Sequence, residues 1–207
     1  FRTRDALTSG VPRGRLERHD LTRPHRGVRA RQPAADRVSE EGNLGVYDEA
    51  ARERHLLRVR EYHPVMPARA YLCGISAAAI WRIPLPPWVS HDHLHIGVPR
   101  PDRAPRRPGV VGYQHSAGFV HVADVEGIRV TDPASTWATL GGLLRDEALT
   151  VAADHVLHIP RMPGGFRSTT ERALATREQL TEMSERKGRP GAPRLRRALE
   201  LARSGSA

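Results

Sequence analysis

Proline sets the length of the elements this chain can build. Its ring removes a backbone donor and fixes φ, so it suits the first turn of a helix but stops one already running. Pro64 and Pro67 therefore end the helix that the sequence favours from Asp48 to about His63, in which Asp48 and Arg52 are spaced to pair. Pro84, Pro86 and Pro87 end the most apolar window, Tyr71–Trp81, whose Ser76–Trp81 portion reads as a buried helix. Asp132-Pro133 does the opposite, combining a cap with a proline at the first helical position. Short helices and strands are what fits between such stops.

Periodicity fills the intervals. His93–Val98 alternates as a strand, Val110–His115 is a second, and Gly127–Thr131 a short third. The proline- and arginine-rich stretch Pro99–Gly109 reads as a long hairpin loop between the first two. Trp137, Leu140 and Leu144 share one helical face, as do Leu149, Ala152, Ala153 and Val156. Ser168 with Glu171, and Thr176 with Gln179, have capping-box spacing. Leu195, Ala198, Leu199 and Ala202 form the apolar stripe of a last helix, surrounded by Arg194, Arg196, Arg197 and Arg203. The expected fold class is α/β (α+β): a mixed α/β domain with a small antiparallel sheet, following a smaller N-terminal unit.

Charge narrows the partners. The 207 residues carry 33 lysines and arginines against 23 acidic residues, a formal net charge of +10, and Lys187 is the single lysine. Clustered cations release counterions when they bind a phosphate polymer, so such a chain is attracted to nucleic acid. A GC-rich genome produces the same arginine bias without any such role. Cys73 is the only cysteine, which excludes an internal disulfide and fits a reducing, cytoplasmic compartment. No stretch approaches the ~20 apolar residues of a membrane span. The chain starts at Phe1 and ends at Ala207 directly after a helical pattern, the appearance of a piece of something longer.

The first thirty residues are the candidate site. Thr3 is placed to cap a helix through Ser9, Gly10 suits a left-handed turn, and Pro12 opens a second helix to about Arg18, with Leu7, Val11 and Leu16 available to join the two. Leu21–Val28 then reads as two extended stretches around a Pro/Gly turn. Helix, turn, helix and hairpin is the order of a winged helix-turn-helix. Arg13, Arg15 and Arg18 lie on the second helix, where arginine can read guanine in the major groove, and Arg23 and Arg26 lie in the wing, where cations meet phosphates. A solvated arginine face on a small helical hairpin would present the same residues.

Catalytic and metal signals are weak. His91, His93 and His95 would project from one face of a strand, an array suited to zinc, but no cysteine or acidic pair completes a ligand shell. Glu185 and Lys187 have the Glu-x-Lys spacing of a restriction-type nuclease, yet they fall at a helix end before Gly188-Arg189-Pro190, not on a strand. Cys73 in an apolar run reads as a small core residue. The sequence holds no phosphate-binding glycine motif. No enzyme, cofactor or metal is expected.

Several short motifs carry a family resemblance. Phe1, Thr3, Asp5-Ala6-Leu7, Gly10-Val11, Arg15-Leu16 and Arg26-Gly27-Val28 resemble the winged helix of AbiEi-type antitoxins from type IV toxin–antitoxin systems. Ile83-Pro84-Leu85-Pro86, the strand histidine His95, and Val130-Thr131 with Pro133 and Thr136 are similar to the domain that follows it. Arg29 stands where relatives carry a wing tyrosine, and the helix that opens the family's winged helix is missing. The resemblance implies a winged helix at 1–30, a linker at 31–47, an AbiEi-like α/β domain at 48–166, and C-terminal helices at 167–207. It implies a transcriptional regulator that binds double-stranded DNA, with a nucleotidyltransferase toxin as a further partner. Two alternatives follow: the non-catalytic half of a Vsr-like DNA endonuclease, and a pure protein-interaction domain gripping a toxin through residues 71–81 and the helices after 133.

Overall fold

A computed structural model describes residues 1–31, 49–158 and 173–202 of the chain. Asp48, the Ser168–Glu171 capping pair, Arg203 and nearly all of the expected linker lie outside the described residues.

The body is built on a five-stranded mixed sheet. Its strands are β3 (Tyr71–Leu72), β4 (Leu94–Pro99), β5 (Val110–His115), β6 (Val122–Val125) and β7 (Ile128–Thr131), in the order β5-β4-β3-β7-β6. The expected small antiparallel sheet is thus corrected. β3 runs antiparallel to β4 but parallel to β7, and β4 and β5 are parallel over six residue pairs, from Leu94 with Val110 to Pro99 with His115. Residues 100–109 are therefore no hairpin loop. They carry the chain back along the full length of β4 before β5 begins, a return that only a parallel pair requires. β6 and β7 do form a hairpin, closed by Glu126 and Gly127 at φ 53° and 79°, the doubly left-handed turn that suits the strand twist.

Alternation along β4 gives the sheet two unlike faces. Leu94, Ile96 and Val98 join Leu72, Val130, Val59 and Tyr62 in one apolar cluster, covered by α2 (Glu49–Tyr62). His95 and Gly97 point the other way. Gly97 is required there, because a Cβ would stand 2.3 Å from the Tyr71 ring that lies across it.

The helical layer is a separate core. α3 (Gly74–Ile80), α4 (Pro133–Leu140), α5 (Asp146–Leu157), α6 (Arg177–Glu185) and α7 (Ala192–Leu201) bury a second cluster around Trp137. Trp137, Leu140, Leu149, Ala152, Ala153, Val156, Leu195 and Ala198 are essentially inaccessible, as their spacing predicts. The Trp137 indole donates to the Leu149 carbonyl at 3.0 Å, tying α4 to α5. Both cap readings hold. Asp132 accepts from the Ser135 amide at 2.7 Å, and Thr176 and Gln179 form a reciprocal capping box. Gly191, at φ 74°, sits where a Cβ would come within 1.9 Å of the Gly141 carbonyl, so α7 starts in backbone contact with the end of α4.

The N-terminal unit departs furthest from expectation. α1 (Thr3–Thr8) forms and Gly10 turns the chain at φ 84°. The capping role given to Thr3 is corrected: the cap position falls on Arg2, and the buried Thr3 hydroxyl has no partner among the described residues. The second helix is only a five-residue 3-10 turn, Arg13–Glu17. With Gly14 inside it, the segment is too short to offset the cost of nucleating an α-helix. Leu16 is its one buried residue, whereas Leu7 is exposed and does not join the turns. The hairpin closes later than its sequence suggests. β1 (Leu21–Thr22) pairs with β2 (Ala30–Arg31), while Val28 pairs instead with Arg2. A helix-turn-helix with a full recognition helix is not what this segment forms.

Candidate functional sites

The cationic N-terminus holds five expected contact residues in two different states. Arg13, Arg18, Arg23 and Arg26 are exposed, and of these Arg18 lies close enough to Asp20 to help lower its pKa. Arg15 is taken. Its two terminal nitrogens grip the Asp20 carboxylate at 2.9 and 2.8 Å, and that guanidinium holds the Asp20 carboxyl below its usual range. Arg29, the residue in the tyrosine's place, is buried and works as a staple. Its Nε donates to the Leu16 carbonyl at 2.8 Å, fixing the 3-10 turn against the base of the hairpin. The wing is fixed from the far side by His25, whose ring meets Tyr62 of α2 edge-on at 5.1 Å.

The histidine array does not assemble. β4 starts at Leu94, so His91 and His93 precede the strand; His91 lies by His55, His93 is exposed and only His95 is on the sheet. Among the described residues, no group of three or more histidines, cysteines or acids is placed to hold a metal. His55 and Ser76 make a 2.8 Å hydrogen bond of the kind that activates a nucleophile. Both are fully buried, and Ser76 also accepts the His95 amide at 2.8 Å, so the pair joins α2, α3 and β4 rather than meeting a substrate. Glu185 is the last residue of α6 and Lys187 follows it in a turn.

Sequence reasoning missed a second site, on the far face of the sheet. His95 and Tyr113 lie near-parallel with centroids 5.5 Å apart, Tyr113 and His115 at 6.2 Å, and His115 and Phe119 at 5.6 Å. The Arg189 guanidinium continues this row, 3.9 Å above the Phe119 ring. Two tyrosine–histidine hydrogen bonds lock the row: Tyr113 to His95 Nδ1 and Tyr71 to His115 Nδ1, each at 2.8 Å. Burial holds both imidazoles down to about 4, with the Arg189 charge adding to the effect at His115. Neutral rings can accept the tyrosine protons, and burial in turn pushes Tyr113 up to about 12.

Beside this row opens a cavity of about 650 Å³, beyond the carboxyl ends of the parallel β4–β5 pair. Arg100 enters it from just after β4 and Phe119 from the loop after β5. The connection between α6 and α7 supplies Arg186, Lys187 and Arg189. Four cations line it, and none of its described lining residues is acidic. Arg189 is only 5% exposed. Its Nε and Nη2 donate to the carbonyls of Met183 and Phe119 at 2.9 and 2.5 Å, while its buried Nη1 has no acceptor among the described residues. The buried Nε of Arg186 is in the same condition, its Nη2 being paired with Glu182.

No protein-family model and no protein of curated function matches this chain. The likeness to AbiEi-type antitoxins rests on the motifs quoted above. Among the described residues, no helix is long and apolar enough to cross a membrane.

Proposed function

We propose that this chain is a DNA-binding regulator of the antitoxin type that holds duplex DNA by its phosphates. The supporting observation is the set of four exposed guanidinium groups, Arg13, Arg18, Arg23 and Arg26, within one short segment, where Asp20 is gripped by Arg15 and only Arg18 of the four is near it. Residues 1–31 carry nine arginines and three acids, a local excess suited to a polyanion. A five-residue 3-10 turn gives little length to lay in a major groove, and Arg15, the natural guanine reader, is bound to Asp20. Contacts of this kind position a protein on DNA and carry little sequence information.

The test is fluorescence anisotropy on a labelled duplex over a series of salt concentrations. Replacing Arg13, Arg18, Arg23 and Arg26 together by Gln is expected to abolish binding at moderate salt. Single replacements should each lower the log–log salt slope by ~0.9. Asp20→Asn, which releases Arg15, is expected to tighten binding and steepen the slope by the same amount. A fourfold variant that binds as well as the parent chain refutes the reading.

A further inference from the structure

We propose that the cavity between β5 and the α6–α7 connection is a binding site for a phosphomonoester of about mononucleotide size, held by Arg189, Arg186, Lys187 and Arg100. Three independent observations meet there. A volume of about 650 Å³ exceeds what inorganic phosphate fills and falls in the range of small-molecule pockets. The lining carries four cations with no described carboxylate among them, and Glu182 behind Arg186 offsets only one, so the remaining positive charge favours an anion in the cavity.

The third observation is the orphaned donors. A guanidinium buried with one nitrogen unsatisfied is costly to leave so, and a phosphate oxygen is the acceptor it lacks. Arg189 is held in place for that role by its two carbonyl bonds and by the Phe119 ring. Burial lowers its pKa to about 10, which still leaves it charged at neutral pH. Arg186 brings a second orphan, and the exposed Lys187 and Arg100 supply charge at the mouth. The edges of Tyr113 and Phe119, with Leu143, offer an apolar wall for the organic part of the ligand.

The phosphate of the preferred ligand could belong to a free metabolite or to the end of a nucleic acid, since both present the same dianion.

Isothermal titration of the whole chain tests the proposal with AMP, glycerol phosphate, inorganic phosphate and adenosine. AMP and glycerol phosphate are expected to bind saturably, inorganic phosphate more weakly and adenosine not at all. Arg189→Met removes the central contact but also a structural clip. Lys187→Gln and Arg100→Gln, both at exposed positions, therefore carry the decision. Each should weaken AMP roughly tenfold, the loss of one charge-assisted contact. Arg23→Gln combined with Arg26→Gln should leave AMP affinity unchanged, which separates this site from the DNA-binding segment. A terminally phosphorylated oligonucleotide that displaces glycerol phosphate, where its unphosphorylated twin does not, would support the site and assign the phosphate to a nucleic acid end. Saturable binding without such displacement would support it and assign a metabolite. Absence of saturable binding by either phosphomonoester overturns the proposal. So does binding that survives the cavity substitutions but falls with the N-terminal pair.

Discussion

The N-terminal unit and the α/β body are held together by different forces. In residues 1–31 only Leu16, Val28 and Arg29 are buried, and the unit is stapled mainly by polar contacts. The Phe1 ammonium donates to the Arg29 carbonyl and the Arg29 amide to the Phe1 carbonyl, each at 3.0 Å, the Thr3 amide donates to the Gly27 carbonyl at 2.8 Å, and Arg29 clips the 3-10 turn. The body has two large apolar clusters, and most residues of α3 and α4 are buried. Area removed from water is the main favourable contribution to folding, so the two regions should differ widely in local stability. The region proposed to meet DNA is the one with the least core.

Breaking the body should have the largest consequence. Trp137→Ala removes a side chain with no exposed surface and a hydrogen bond between helices, and is expected to cost about 3–5 kcal/mol in urea unfolding followed by circular dichroism. Gly191→Ala should come next, at roughly 3 kcal/mol, because it combines left-handed backbone strain with a clash against Gly141. A wild-type midpoint would mean, for the first variant, that Trp137 does not tie α4 to α5 as described and, for the second, that the α4–α7 contact is not as described.

Acid should weigh more on the body, although burial also lowers His25 in the N-terminal unit. His55, His95 and His115, all in the body, are held down to about 4 by burial. In the unfolded chain they titrate near 6.5. Between those values the unfolded state binds more protons, so the stability their neutrality allows is complete above about pH 6.5 and lost progressively as pH falls towards 4. Thermal unfolding across that window checks it. His55→Asn, which does not titrate, should flatten the decline, and an unchanged slope would contradict it.

The smaller effects sharpen the comparison from the other side. Leu16→Ala is expected to open the N-terminal unit by about 2 kcal/mol, read as faster amide exchange in residues 13–31 with the body's protection unchanged. Loss of protection throughout the chain would show that the two regions unfold as one. Arg15→Ala breaks an exposed ion pair and should alter stability by less than about 1 kcal/mol.

Much of the helical layer was legible from spacing. The stripes of α4, α5 and α7 and the caps at Asp132 and Thr176 depend on neighbours within a turn or two, which periodicity reports directly. Strands were harder. Tyr71–Leu72 read as part of an apolar window because a two-residue strand shows no alternation, and the four residues of β6 are too few to mark a strand by period. His95 misled because its strand begins one residue earlier, leaving His91 and His93 outside it. The candidate cavity left only one trace in the sequence, the Arg186–Pro190 break between helices, which suggested an end rather than a wall.

The sequence alone determined a cationic chain of short elements, where its helices stop, which faces they bury, and that its charge favours an anionic partner. Tertiary structure alone decided the parallel pairing of β4 and β5 and the shortening of the second helix to a 3-10 turn. It also brought Arg100 together with Arg186 and Arg189. The physical reason is range: caps and periodicity act over a few residues, whereas pairing and charge convergence follow from how distant segments share a core.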